Sequence, residues 1–165
     1  MTVTVDQVCL NEALLAGATE VFDTMIFMDI RESEEQDSLP RGDTLLGSIT
    51  FTGDMEGCLG IGCTIPCAKA IAQNMLGLTE TEELPEAEIT DAIGEVANMV
   101  LGSVKARIQE TAGNLNVSIP TVVRGRSLDN SIGDHANPTN RILTRLNIAD
   151  EYPAELSLQY RQKTK

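Results

Sequence analysis

Two polar side chains, Glu95 and Asn98, are the residues of this sequence whose types and spacing could do chemistry. They stand one helical turn apart in the segment DAIGEVANMVLG, which covers residues 91–102. A carboxylate can pair with a cation on a partner through a charge-assisted hydrogen bond. A carboxamide offers both a donor and an acceptor, which is what is needed to hold a water molecule in line with a phosphoryl group. The pair therefore suits a site that needs neither a nucleophile nor a metal of its own.

The pattern around this pair separates an apolar face from a narrow polar one. At about 100° per residue, one broad arc of the kind that packs on a core holds Ile89, Ile93, Val96, Ala97, Val100, Leu101, Val104 and Ile108. Asp91, Glu95, Asn98 and Gly102 fall almost opposite, and we call these four residues the polar strip. An ordinary solvated helix face gives the same pattern, so spacing alone does not decide between the two interpretations. A glycine inside a helix costs about 1 kcal/mol relative to alanine, so Gly94 and Gly102 indicate close approach by another backbone, in the core or from a partner.

Composition and charge exclude several classes of partner. The chain has 165 residues, 42% of them hydrophobic, which predicts a single domain over residues 1–165 with an aliphatic core. The formal net charge of −13 repels a phosphate backbone and anionic lipid, so nucleic acid and membrane surfaces are poor partners. No apolar run is long enough to span a bilayer, and the first residues lack the pattern of a signal peptide. We therefore expect a cytoplasmic protein.

Other common chemistries lack the residues that they need. No phosphate-binding loop and no nucleophile-elbow motif occurs. The single histidine, His135, lies in a polar loop, which disfavours a nucleophile–histidine pair. The spacing of Cys9, Cys58, Cys63 and Cys67 matches no zinc pattern, so we predict buried free thiols and no metal site.

Three helices are predicted from apolar periodicity. The first covers residues 6–25 and the second covers 67–75, with Pro66 at its start. The third runs over residues 85–111 and carries the polar strip. If the two long helices are internal repeats, Glu20 stands in the first where Glu95 stands in the third.

The strand patterns are separated mostly by short turns. Strands are predicted at residues 25–30, 44–52, 57–65, 117–126, 141–148 and 154–161. Pro120 interrupts the fourth of these, which places that strand at an edge or a bulge. Polar loops are predicted at 31–37 and 129–140. Because consecutive strands are mostly linked as hairpins, we predict an α+β fold, a mostly antiparallel sheet with long helices packed on it.

The polar strip and the hairpin before it resemble a known family. The spacing Asp91-x3-Glu95-x2-Asn98, followed by Gly102, is similar to the signature of the CheC/CheX/FliY chemotaxis phosphatases. The segment TFTGDMEGCLGIGCTIPCAKAIAQNMLG resembles the strand–strand–helix that precedes the signature in that family. The resemblance covers about residues 6–160, and the single intact motif makes the chain more similar to CheX than to CheC.

The resemblance implies a phosphatase that hydrolyses the aspartyl phosphate of a phosphorylated, CheY-like response regulator. In that family the asparagine orients the hydrolytic water and the glutamate pairs with a lysine of the receiver domain, roles that would fall to Asn98 and Glu95. Asp91 and Gly102 would contact the partner, as would Met99 at the border of the strip, unless a neighbouring loop covers that side chain. The resemblance also implies no cofactor of the protein's own, magnesium in the receiver's active site, and a homodimer.

Two other functions stay open on the sequence. The chain could be a binding module that docks receivers or flagellar-motor proteins without hydrolysing anything. It could also be a structural subunit that assembles through its sheet edges. The phosphatase is favoured because both Glu95 and Asn98 are intact.

Overall fold

Helices pack on an antiparallel sheet in the computed structural model, which describes residues 6–34, 42–126 and 140–162. The α-helices of these ranges are α1 (Gln7–Val21), α2 (Ile65–Met75) and α3 (Glu86–Ala112). The strands are β1 (Ile30–Glu32), β2 (Thr44–Gly53), β3 (Met55–Thr64), β4 (Leu115–Val117), β5 (Thr121–Gly125), β6 (Asn140–Ile148) and β7 (Tyr152–Gln162). The predicted α+β class is confirmed.

Two hairpins form the middle of the sheet. The strand order is β1-β6-β7-β3-β2-β4, and β5 also pairs with β2. Every one of these pairs is antiparallel. The hairpin β2–β3 joins the strands predicted at 44–52 and 57–65, and the hairpin β6–β7 joins those predicted at 141–148 and 154–161. Strand β3 pairs with β7 and so joins the two hairpins. As a result, β1 lies at one edge of the sheet, whereas β4 and β5 lie at the other.

Local sequence explains where α2 and α3 begin and end. The Thr64 hydroxyl accepts a hydrogen bond from the Cys67 amide at 3.3 Å, and a proline stands in the first turn of α2. Helix α3 carries Glu86 and Glu88 in its first turn, where the helix dipole favours negative charge. It ends at Gly113, whose φ of 71° suits glycine. Both predicted helices are therefore confirmed.

The predicted strand over residues 25–30 is wrong. Phe22–Ile26 continues α1 as a π-helical turn, and β1 covers only Ile30–Glu32. The apolar run in this region has no period that separates a helix from a strand. The helical segment ends at Phe27, which has a φ of 62° and whose amide donates to the Phe22 carbonyl oxygen at 2.6 Å.

Helix α3 is fixed between the sheet and α1. A methyl group added at Gly47 of β2 would lie 3.0 Å from Ile93 Cγ2, and one added at Gly17 of α1 would lie 3.1 Å from Val104 Cγ2. The predicted apolar face of α3 is buried along its whole length. With two of its sides covered in this way, the helix can expose only the face that carries the polar strip.

The cysteines and the loops give a mixed outcome. Cys58, Cys63 and Cys67 are buried and free as predicted, whereas Cys9 is exposed. A hydrogen bond with Cys67 and burial raise the pKa of the Cys63 thiol well above its ordinary value, as expected for a thiol that serves in packing.

The predicted polar loop at 129–140, with His135, lies outside the described residues apart from Asn140, which begins β6. None of the described helices is both long and apolar enough to cross a membrane.

Candidate functional site

The polar strip stands on the solvent side of α3. Asp91, Glu95, Asn98 and Gly102 are all exposed. Val96 and Ala97, which stand between the two candidate catalytic residues in the chain, are fully buried. The outward presentation predicted from the helical pattern is therefore confirmed, and the buried residues hold the strip in place.

Glu95 and Asn98 have no partner within the described ranges, where neither side chain makes a hydrogen bond or an ion pair. The carboxylate of Glu20 on α1, the candidate counterpart of Glu95, differs in this respect. It accepts hydrogen bonds from Ser103 Oγ at 2.9 Å and from Arg107 Nη2 at 2.7 Å. These bonds, with the charge of Arg107, lower the pKa of Glu20. Glu20 is thus engaged inside the chain, whereas Glu95 is free to meet a partner.

The two glycines of α3 have different surroundings. At Gly94 an added methyl group would lie 3.4 Å from Val122 Cγ2 and 3.6 Å from Pro120 Cγ. These are side-chain atoms at ordinary contact distances, so the close approach of another backbone predicted at Gly94 is not found. At Gly102 an added methyl group would meet no atom of the surrounding described residues within 4 Å. Only Gly102 keeps the open space that an approaching partner could use.

Met99 is half-buried at the border of the polar strip. Its side chain packs against the hydrophobic core, so only part of it can meet a partner.

Strand β5 is tied to the start of α3 by an ion-pair cluster. Arg124 of β5 donates to Glu86 at 2.5 Å and to Asp43 at 3.1 Å. Hydrogen bonds from Arg124 and Arg126 lower the pKa of Asp43, and the hydrogen bonds to Glu86 and Asp43 raise the pKa of Arg124. The cluster holds the edge of the sheet against the end of the helix from which the polar strip begins.

Sequence reasoning predicted the interruption at Pro120 but not its consequence. The side chains of Pro120 and Val122 lie beside Gly94 of α3, which places the β4–β5 connection next to the polar strip. Ile119, next to that proline, is 87% exposed. The sequence shows an isoleucine beside a proline in an interrupted edge strand. It does not show that this strand lies beside α3, and only that position makes Ile119 a candidate functional residue.

A cleft of about 660 Å³ lies apart from the polar strip. It is lined by residues that follow the π-helical turn, by α2 and the loop after it, and by the β6–β7 connection: Phe27, Met28, Asp29, Pro66, Lys69, Ala70, Gln73, Asn74, Glu80, Ala149, Asp150, Glu151 and Tyr152. None of the residues predicted to be functional lines this cleft. The candidate site is therefore a convex helix face, which suits a macromolecular partner better than a small molecule held in a pocket.

Comparisons with known proteins identify the family. The family model "Chemotaxis phosphatase CheX" matches residues 45–137, more than half of the chain, and the matched segment contains the whole polar strip. The CheY-P phosphatase CheX of Thermotoga maritima is 32% identical over 85 residues. This match spans 52% of the chain and 54% of the Thermotoga protein, which is about half of the length of that relative.

Solved structures share the fold. CheX from Vibrio vulnificus superposes with a TM-score of 0.74 at 24% identity, over 96% of this chain and 100% of that one. A chain of the CheX-CheY-BeF3-Mg2+ complex from Borrelia burgdorferi gives a TM-score of 0.69 at 15% identity, with the same coverage. The antiparallel sheet with its packed helices places the chain in the CheC/CheX-like class of folds. Within that class, the chain belongs to the CheX chemotaxis phosphatase family.

Proposed function

We propose that the protein accelerates hydrolysis of the aspartyl phosphate on a CheY-like receiver domain. Helix α3 approaches the phosphorylation site, where Asn98 holds a water molecule in line with the phosphorus. Glu95 pairs with a lysine of the receiver and fixes the register of the two proteins. Asp91, Gly102 and the exposed part of Met99 contact the partner around this pair.

One observation carries the proposal. The Asn98 carboxamide is exposed and has no hydrogen-bond partner in the described ranges, while the helix beneath it is packed on the core. A group that is rigidly placed but unengaged can serve a reaction in another protein's site without first breaking bonds of its own.

The contribution of Asn98 is positional. Hydrolysis forms a P–O bond to water and breaks the P–O bond to the aspartate, and the carboxamide does not change covalently. Its oxygen accepts a hydrogen bond from the attacking water, and its nitrogen donates to a phosphoryl oxygen. Magnesium belongs to the receiver in this scheme. The Borrelia complex of CheX with CheY likewise contains magnesium.

The assembly around this activity is also a proposal. We expect residues 1–165 to act as a single cytoplasmic domain and to form a homodimer. Light scattering of the purified protein gives the mass that checks the homodimer.

The test is the decay of a phosphorylated receiver. A CheY-like receiver is phosphorylated with a small-molecule phosphodonor and magnesium, and phosphate release is followed with and without the protein. We expect Asn98→Ala to lower kcat on the order of 10²-fold, the usual effect of losing one positioned group. Its affinity for a BeF3-activated receiver should be retained. Gln109→Ala is the matched control, because it removes another exposed carboxamide of α3, about 16 Å along the helix axis.

The outcomes separate the three functions. An unaffected rate in Asn98→Ala removes that residue from the mechanism. A wild-type protein that binds the receiver saturably but leaves the lifetime of its phosphoryl group unchanged is a docking module. A protein that neither binds nor hydrolyses, and whose mass is the same with and without the receiver, is a structural subunit.

A further inference from the structure

The edge strand beside α3 contains a β-bulge. Strand β4 pairs with β2 up to Val117 opposite Phe51, and β5 resumes with Thr121 opposite Ser48. Residues 118–120 therefore oppose only residues 49 and 50 of β2, so the edge strand has one residue more than its partner. We call residues 118–120 the edge bulge. Bulges of this kind re-aim side chains and are common next to active sites.

Hydrogen bonds hold the edge bulge in one conformation. The Ser118 amide donates to the Thr50 carbonyl oxygen at 2.9 Å, and the Thr50 amide donates to Ser118 Oγ at 3.0 Å. Ser118 Oγ in turn donates to the Ile119 carbonyl oxygen at 3.1 Å. Pro120 has no amide hydrogen, so its place in the interrupted ladder leaves no donor unpaired. The bulge is thus a built element of the sheet edge.

The edge bulge borders the polar strip on the side of Asn98. Pro120 Cγ lies 3.6 Å from the place that a methyl group on Gly94 of α3 would occupy. Asp91 and Asn98 stand three residues before and four residues after Gly94, so both are its neighbours on the helix surface. At about 100° per residue, Asn98 is rotated from Gly94 by about 40°. The proline of the bulge therefore lies against the helix next to the side chain proposed to position the water.

Ile119 is held in solvent at this border. Its exposed fraction of 87% is the highest among the large apolar side chains of the described residues. Val117, directly before the bulge, is 39% exposed, while Val122, two residues after Pro120, is half-buried beside α3. Single exposed apolar residues are common on proteins, but this one stands on a hydrogen-bonded bulge whose Pro120 lies beside Gly94, a neighbour of the candidate site.

We infer that Ile119 is an apolar docking contact for the phosphorylated receiver domain, continuous with the polar strip, and that it determines affinity but not the chemical step. This inference rests on the proposed function. The polar strip supplies the groups that face the phosphoryl site, and Ile119 covers apolar receiver surface at the rim of that contact. An apolar side chain at a rigid position gains contact area on binding at little cost in conformational entropy.

The experiment measures the separate effects of substitutions at Ile119 on KM and on kcat. Initial rates of phosphate release are recorded over a range of phosphorylated-receiver concentrations for the wild type, Ile119→Ser and Ile119→Leu. We expect Ile119→Ser to raise KM about 10-fold, the effect of losing one good apolar contact, with kcat unchanged. Ile119→Leu should restore KM, since leucine keeps the apolar area. Val8→Ser, at a position on α1 that is 62% exposed, is the matched control and should leave both constants unchanged.

Three results overturn the inference. They are a KM for Ile119→Ser equal to that of the wild type, a kcat that falls together with a rising KM, and a changed mass of Ile119→Ser in light scattering. The last would assign Ile119 to an interface between two copies of this chain.

A second measurement distinguishes failure of this inference from failure of the proposed function. The Kd for a BeF3-activated receiver is measured for the same variants and needs no hydrolysis. A wild type that binds without hydrolysing contradicts the proposed function, and a 10-fold weaker Kd of Ile119→Ser would still support the docking contact. A wild type that neither binds nor hydrolyses refutes both.

Discussion

Replacing Gly102 with alanine should make the protein more stable and its proposed partner bind less well. Gly102 lies inside α3, its φ is not in the left-handed region, and an added methyl group meets no described neighbour within 4 Å. The substitution therefore gains helix propensity, about 1 kcal/mol, without a steric cost. For a chain of this size, that gain corresponds to a rise in Tm of about 2–4 °C. If a receiver approaches the helix closely at this position, the same methyl group obstructs it and raises KM.

The assay is urea denaturation together with receiver dephosphorylation, carried out on three glycine variants. Gly94→Ala places a methyl group at ordinary contact distance from Val122 and Pro120, where a partner cannot reach it, so it should stabilise without changing KM. Gly17→Ala places one 3.1 Å from Val104 Cγ2 and 3.3 Å from the Val104 backbone nitrogen, so it should destabilise. A destabilised Gly102→Ala would refute the packing argument, and a stabilised variant with an unchanged KM would refute close approach at this position.

Three further predictions concern stability. Gly57→Ala should destabilise by about 3 kcal/mol in urea denaturation, because the new methyl group would clash with the Gln159 carbonyl oxygen and lie 2.7 Å from the Phe51 ring; an unchanged midpoint contradicts it. Phe27→Gly should stabilise by about 1 kcal/mol, since the native residue has a φ of 62° and is 73% exposed; a lower Tm would mean that the ring contributes packing. The ion pairs that lower the pKa of Asp43 contribute stability above the ordinary aspartate pKa of about 3.9, and this stability is lost as pH falls through the lower folded value. Arg124→Met should raise the Asp43 pKa in an NMR titration and weaken that acid dependence, and an unmoved pKa would contradict the assignment of its cause.

Much of the fold could be predicted because its signals are local. The helix that carries Glu95 and Asn98 follows from a 3.6-residue period, and the two hairpins follow from turn residues between strand patterns. The error at residues 25–30 has a local cause as well, since the short apolar run over residues 25–28 carries no period. The strand order is a different matter, since β3 pairs with β7 across most of the sequence and no short pattern encodes that pairing.

The sequence by itself determined that Asp91, Glu95, Asn98 and Gly102 share one face of a helix and that the opposite face is apolar, because helix geometry is set by neighbours along the chain. Only the tertiary structure decided what lies beside that face. It engages Glu20 with Ser103 and Arg107, packs Met99 partly into the core, and brings Pro120 of the edge bulge beside Gly94. The physical reason is that these contacts depend on α1 packing on α3 and on β5 pairing with β2, and such long-range pairings are selected by the energy of the whole packed core.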